Sequence, residues 1–284
     1  MSAPTIGIVP LAKRESVRME APRAALLVGA ALGVIALLLP VLAPHAPNAI
    51  DLAARRVAPT LTHWLGTDDL GRDVLSRVLH GARLSLLVGL ASAVVTMALG
   101  VGVGVLAGWR GGWTDVLLMR ATDALLSMPR LPLLMVAAAI LEPSALALAA
   151  LVGATGWMEA ARVVRAEVLS LRSRPFVEAV RASGASAWHV VSRHVVPNAA
   201  ATIAVAATLA VGRGILLESA LSFFGVGVRP PSPSWGNMLY QAQQSMTTAP
   251  WAALAPGACI FATVFVINAL GTRLARSGPE ARPA

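Results

Sequence analysis

The sequence predicts an all-α polytopic membrane protein of about six transmembrane helices. Three observations carry that fold class. Of the 284 residues, 56% are hydrophobic and only 13% charged, against about 25% charged residues in a soluble domain. Charge is missing altogether from residues 24–44, 84–109 and 230–272, and each run exceeds the roughly 20 apolar residues that a helix needs to cross a bilayer. The residue alternation and regular turn spacing of an outer-membrane barrel are absent.

The predicted spans are 24–43, 84–108, 117–141, 144–161, 199–217 and 251–271. The first follows Lys13, Arg14, Arg18 and Arg23, as a signal peptide's apolar run would. At about 20 residues it exceeds the roughly 7–15 of a signal peptide's apolar core, so it reads as a retained helix. The second and sixth are uninterrupted. The third contains Arg120, Asp123, Pro129, Arg130 and Pro132, with Arg120 and Asp123 spaced to pair on one helix face. The fourth is short and carries Glu159 near its end. The chain thus divides into a tail (1–23), a first helix (24–43), an external segment (44–83), a five-helix core (84–272) with a polar loop at 162–198, and a second tail (273–284). The Pro-rich stretch 229–236 must interrupt any helix, because proline lacks the N–H donor, and reads as an external loop or re-entrant turn.

Charge sets the orientation. Fourteen Arg and Lys residues fall in the N-terminal tail, at Arg110, in the 162–198 loop and in the C-terminal tail, against six in the opposite loops. The positive-inside rule therefore predicts both termini and the 162–198 loop on the cytoplasmic face. The same bias accounts for the net charge of +9, and no nucleic-acid partner is expected. Cys259 is the only cysteine; it permits no intrachain disulfide and reads as a packing residue. The five histidines, His45, His63, His80, His189 and His194, are scattered along the chain, and no metal site is expected from that spacing.

The 162–198 loop is the most informative segment. Pro175 suits the first position of a helix, and Phe176, Val177, Ala179, Val180 and Ala182 continue a short helical run ending at Ser183-Gly184, where glycine supplies a left-handed cap. A second run over 185–195 returns the chain, and Pro197-Asn198 opens the next span. A shortest-path loop would need neither run. The pattern reads as a helical element offered to a partner, with Phe176 and its alanine face as anchors; a solvated interfacial helix pair is the plainer reading of the composition alone.

These residues carry a family resemblance. Glu178-Ala179, Gly184 and the x-x-x-Pro ending at Pro197 resemble the cytoplasmic signature of permease subunits in ATP-binding-cassette importers, with Val180 standing where a smaller residue is usual. The external run Leu65-Gly66-Thr67-Asp68-Asp69-Leu70-Gly71-Arg72-Asp73, together with Glu218-Ser219-Ala220-Leu221-Ser222-Phe223-Phe224-Gly225 and Pro233-Ser234-Trp235-Gly236-Asn237, is similar to the dipeptide, oligopeptide and nickel permeases, in particular their C-type subunit. The resemblance covers about residues 24–273; the C-terminal tail lacks the acidic ending often seen in that group. It implies a type I importer permease fold in a bacterial inner membrane, a second homologous permease as heterodimer partner, two ATP-binding subunits and an extracytoplasmic substrate-binding protein. Phe176, Glu178, Ala179, Arg181, Gly184 and Pro197 become candidates for coupling to the ATPases. Gly66, Thr67, Asp68, Gly71, Arg72 and Asp73 form the external motif.

The residues agree with such a division of labour. A P-loop needs a lysine preceded by glycine, and the only lysine, Lys13, is preceded by Ala12. ATP and Mg are therefore expected on partner chains; this chain is predicted to hold no cofactor and to catalyse nothing. Charges inside predicted spans are the candidates for a translocation path: Asp123, Arg130, Glu159, Arg213 and Glu218, since a charge facing lipid is costly. Inter-helix pairing or snorkelling is the plainer reading of any single one of them. The competing reading is a stand-alone secondary transporter or channel that uses Asp123 and Glu159 for ion coupling.

Overall fold

The computed structural model describes residues 11–276. The first ten residues of the predicted N-terminal tail, the side chains of Lys13, Arg14 and Arg18, and the end of the second tail with Arg282 lie outside that description. Twelve α-helices follow one another: α1 (Leu11–Leu38), α2 (Val74–Arg110), α3 (Gly112–Leu126), α4 (Arg130–Leu141), α5 (Ala145–Ala154), α6 (Trp157–Arg172), α7 (Pro175–Ala182), α8 (Ala187–Val190), α9 (Val196–Asn198), α10 (Ala200–Phe223), α11 (Trp235–Ala242) and α12 (Trp251–Arg276). Among the described residues the only β pairing is an isolated bridge between Thr67 and Asp73.

Four segments are long and apolar enough to cross a membrane singly: Ala21–Leu42, Val74–Arg110, Ala200–Phe223 and Trp251–Ala275. The two weaker predicted spans are broken helix pairs. α3 and α4 meet at 79°, and α5 and α6 at 45°; counting each pair as one span gives six. The sharper break falls at Ser127-Met128-Pro129, where proline cannot donate and disfavours helix in the residue before it. The gentler one falls at Thr155-Gly156.

Several boundaries differ from those predicted. α2 starts ten residues before 84, because Asp73 caps it, its carboxylate accepting from the Ser76 N–H at 2.8 Å. Val74, Val78 and Ala82 are buried in the core, so part of the predicted external segment is helix. Likewise the first part of the predicted 162–198 loop belongs to α6. Val164, Val168 and Leu171 recur at helical spacing and bury against α2. The arginines on α6 that suggested a loop are engaged by α3: Arg165 pairs with Asp115 and Arg162 with Asp123. Arg120 is therefore not the partner of Asp123.

α2 is the central post, packed along α6, α10, α5 and α1. Small residues allow its close crossing with α6. A β-carbon at Gly104 would lie 2.6 Å from the Ala161 carbonyl oxygen, and one at Gly100 2.6 Å from the Ala160 β-carbon. The main apolar core joins Val78 and Leu86 of α2 to Ile215 of α10, Trp235 and Met238 of α11, and Ile260 and Ile267 of α12.

Candidate functional site

Three groups of residues were singled out by sequence, and they occupy three places in the fold. The first is the element α7–α9. Pro175 stands at the start of α7, where its missing N–H costs nothing. The helix ends with the Ser183 N–H donating to the Ala179 carbonyl at 3.1 Å and the Gly184 N–H to Arg181 at 3.0 Å. Gly184 has φ +83°, a left-handed turn that glycine adopts freely. Ser186 then caps α8 through the His189 N–H. Between α8 and α9 the chain forms a π turn over Val191–Val195. Pro197 explains it: with no N–H and a ring that crowds the preceding turn, it forces the carbonyls to wider spacing. The Asn198 side-chain amide donates to the His194 carbonyl.

This element has a buried face and an open one. Val177 of α7 is wholly buried, and with Val180 it packs onto Val164, Val168 and Leu171 of α6 and onto Val190, Val195 and Ala199. Glu178, Ala179, Arg181, Gly184 and Pro197 are exposed, and Phe176 is 38% exposed. The Arg181 guanidinium also lies over the Trp109 ring at the end of α2, 5.7 Å from its centroid, so it braces α7 as well as facing outward. Trp188 is 78% exposed on the same element. Sequence reasoning missed it; the signal was a large aromatic set in the polar stretch Ser186–His189.

The second place is a cavity of about 580 Å³ among α2, α5, α6, α10 and α12. Its lining runs from Thr96 and Gly156 to Arg174, Asn198 and the end of α12. Arg130, Glu159 and Arg213 line it. Arg130 is tied to α5, donating to the Val152 carbonyl at 2.9 Å and to the Thr155 hydroxyl at 3.2 Å. Arg213 of α10 pairs with Glu159 of α6, and each side chain is about half exposed. Thr202 donates to Glu167 at 3.1 Å on the same wall.

The other two path candidates are elsewhere. Asp123 pairs with Arg162 outside the cavity lining. Glu218 is fully buried and acts as a hub: it accepts from Ser85 of α2 at 2.9 Å and from Ser222 at 2.8 Å. Ser85 in turn accepts from the Trp235 N–H, and Ser222 from the Val228 N–H. A buried carboxylate needs several donors; the serines around Glu218 supply them while fixing the segment between α10 and α11. Its position is explained by packing rather than by a path.

The third place is the end of the molecule opposite α7, where the external motif forms a clasp. Asp68 accepts from the N–H groups of Leu70 and Arg72 and from the Arg72 guanidinium at 2.7 Å. Arg72 and Arg77 both donate to the Gln241 side chain of α11, at 2.8 and 3.0 Å. The wholly buried Thr67 accepts from the Val57 N–H, and its carbonyl accepts from the Trp251 indole at 3.0 Å. Asp73 caps α2 and also meets His63, Nδ1 to Oδ1 2.9 Å. Burial pushes the Asp73 carboxyl pKa up, but bonds from Ser76 and His63 outweigh it and leave the group below its ordinary value. The histidines are not all scattered in space, for His45 also approaches Asp73.

The sequence profile of a family described as the inner membrane component of binding-protein-dependent transport systems matches residues 100–277, a stretch that includes α7 and most of the cavity lining. The chain is 40% identical over 237 residues to a putative peptide permease protein of Brucella suis, covering 83% of this chain and 78% of that one. It is 38% identical to a dipeptide transport system permease of Alkalihalophilus pseudofirmus, over 85% of this chain and 79% of the relative. To a glutathione transport system permease of Pectobacterium atrosepticum it is 37% identical, over 81% and 76%.

Proposed function

We propose that this chain, which belongs to the inner-membrane component family of binding-protein-dependent transport systems and is thereby a permease subunit of an ATP-binding-cassette importer, forms half of a translocation path and is driven through α7–α9 by separate ATPase subunits. The observation that carries this reading is the two-faced build of α7. Val177 and Val180 lock it onto α6, while Phe176, Glu178, Ala179 and Trp188 remain open to a partner. A short helix packed on a transmembrane helix passes displacement into the membrane better than a free loop. ATP and Mg belong to the partner subunits in this reading. Hydrolysis shifts the permease between inward- and outward-facing states only because the two states bind the ATPases unequally.

The remaining assignments follow from that premise. Both termini and α7 are placed on the cytoplasmic face, and the clasp faces an extracytoplasmic substrate-binding protein. A second, homologous permease subunit closes the open side of the cavity. The substrate is a peptide or a related small solute, in keeping with the names of the relatives. Arg130, Arg213 and Glu159 offer both signs of charge to a zwitterion. The stand-alone transporter reading loses its support, because Asp123 pairs with Arg162 outside the cavity that Glu159 lines, so the two carboxylates share no ion site.

Glu178→Lys tests the coupling. It reverses an exposed charge without touching the buried face of α7, so membrane level should match wild type. Co-purification of the ATPase subunits and binding-protein-dependent uptake should each fall by about tenfold or more, the scale on which a central interface residue acts. Wild-type uptake and co-purification at equal membrane level overturn the assignment.

A further inference from the structure

We propose that His45, His63 and Asp73 form a binding site for a divalent transition metal of the zinc type at the clasp end of the molecule. The three residues come from separate stretches of chain, yet one ligand atom from each lies within 4.8 Å of the others. His63 Nδ1 is 2.9 Å from one oxygen of Asp73, and His45 Nδ1 is 3.8 Å from the other. Bonds of about 2.0–2.2 Å at tetrahedral angles place ligand atoms roughly 3.3 Å apart. The two histidine–carboxylate separations bracket that value, and the two imidazole ligand atoms lie within 4.8 Å of each other, so closure on an ion takes side-chain adjustment without moving the backbone far. The imidazole rings lie 4.9 Å apart, tilted by 33°.

The site is held from behind. The Asp73 side chain is 1% exposed and fixed by the Ser76 N–H. The His45 N–H donates to the Ser76 hydroxyl at 3.0 Å, and the His63 N–H to Thr60 at 3.0 Å. The His45 side chain is 42% exposed, which leaves an entry route and room for a water ligand. Two imidazoles with one carboxylate suit Zn²⁺ and its neighbours rather than Ca²⁺ or Mg²⁺, which favour all-oxygen sets. A bound ion would join residues 45 and 63 to the cap of α2, fastening the clasp to the central helix. The proposal is independent of substrate and of ATPase coupling.

The test is a titration with Zn²⁺ alone of the chain purified with its partner subunits and stripped by chelator. His45→Ala and His63→Ala should each weaken one site per copy of this chain by more than about tenfold, the loss that removing even an outer-shell partner of a ligand causes. The double variant His189→Ala/His194→Ala should leave that site unchanged; those rings form a separate pair, 5.8 Å apart. His45→Ala is the deciding variant if His63→Ala fails to fold, because His45 is partly exposed. Unchanged affinity in His45→Ala, or loss confined to the His189/His194 variant, overturns the proposal.

Discussion

The clasp and the α7 element sit at opposite ends of the same helical bundle, and both are marked in sequence by glycine and charge. They use them in opposite ways. In the clasp, Asp68, Arg72, Arg77 and Asp73 spend their charges on one another, on Gln241 and on backbone groups. In α7 the charged Glu178 and Arg181 are exposed, and the hold on the bundle is mainly apolar, through Val177, with Arg181 also resting over the Trp109 ring. The glycines differ likewise. A β-carbon at Gly71 would stand 1.7 Å from the Asp51 carbonyl oxygen, whereas one at Gly184 would meet nothing within 4 Å. A motif can therefore mark a residue that the fold consumes or one that the fold leaves for something else, and only the surroundings tell them apart.

The largest expected effect follows from that contrast. Gly71→Ala meets backbone, which cannot swing aside as a side chain can, and adds the strain of φ +74°. It should destabilise the protein by more than about 3 kcal/mol and sharply lower its membrane level. Gly184→Ala carries only the left-handed penalty, about 1–2 kcal/mol, and should insert normally. Thermal unfolding in detergent, with membrane level read alongside, compares them. Equal losses in the two variants would erase the distinction between the ends.

Glu218 sharpens the comparison at the next scale. It belongs to the clasp's style of construction, a carboxyl group enclosed by donors from α2 and α10. Glu218→Ala leaves the Ser85 and Ser222 hydroxyls without their acceptor and loosens the turns they cap, at a cost of about 3 kcal/mol. Glu218→Gln keeps one acceptor oxygen and should cost about 1 kcal/mol. Transport per folded molecule should be unchanged in Glu218→Gln if the residue is structural. A specific fall in uptake at normal stability would return it to the path.

How much of this was legible in the sequence depends on distance along the chain. The helical class, the four spans made of one helix each and the helix at Pro175–Ala182 are written in local signals: apolar length, a proline at the first turn, a glycine at the last. The start of α2 was hidden because its cap, Asp73, sits in a run of charges that reads as loop. The extension of α6 through Arg172 was hidden because Arg162 and Arg165 find their carboxylates 39 and 50 residues away. Arg130, Glu159 and Arg213 were picked as intramembrane charges, but that they share one cavity while Glu218 and Asp123 do not is a fact of packing. The approach of His45 and His63 to one carboxylate is of the same kind, set by the folding of the clasp rather than by spacing.

The smallest effect separates two ion pairs that look alike on paper. Both join α3 to α6 near the α7 end. Arg165 grips Asp115 through two nitrogens, one bond measuring 2.6 Å, and the carboxylate side chain is 16% exposed. Arg162 meets Asp123 through one nitrogen, with both side chains 49% exposed. A fork-like, shielded pair is worth more than an open one. Asp115→Asn should therefore cost about 1.5 kcal/mol, while Asp123→Asn should cost less than about 1 kcal/mol. The difference should appear as a larger fall in melting temperature for Asp115→Asn, measured in detergent. Moderate salt should shrink the Asp123 effect first, because exposed charges are screened more than shielded ones. If Asp123→Asn proves as damaging as Asp115→Asn, exposure is the wrong guide at this end, and Asp123 has a role beyond its partner on α6.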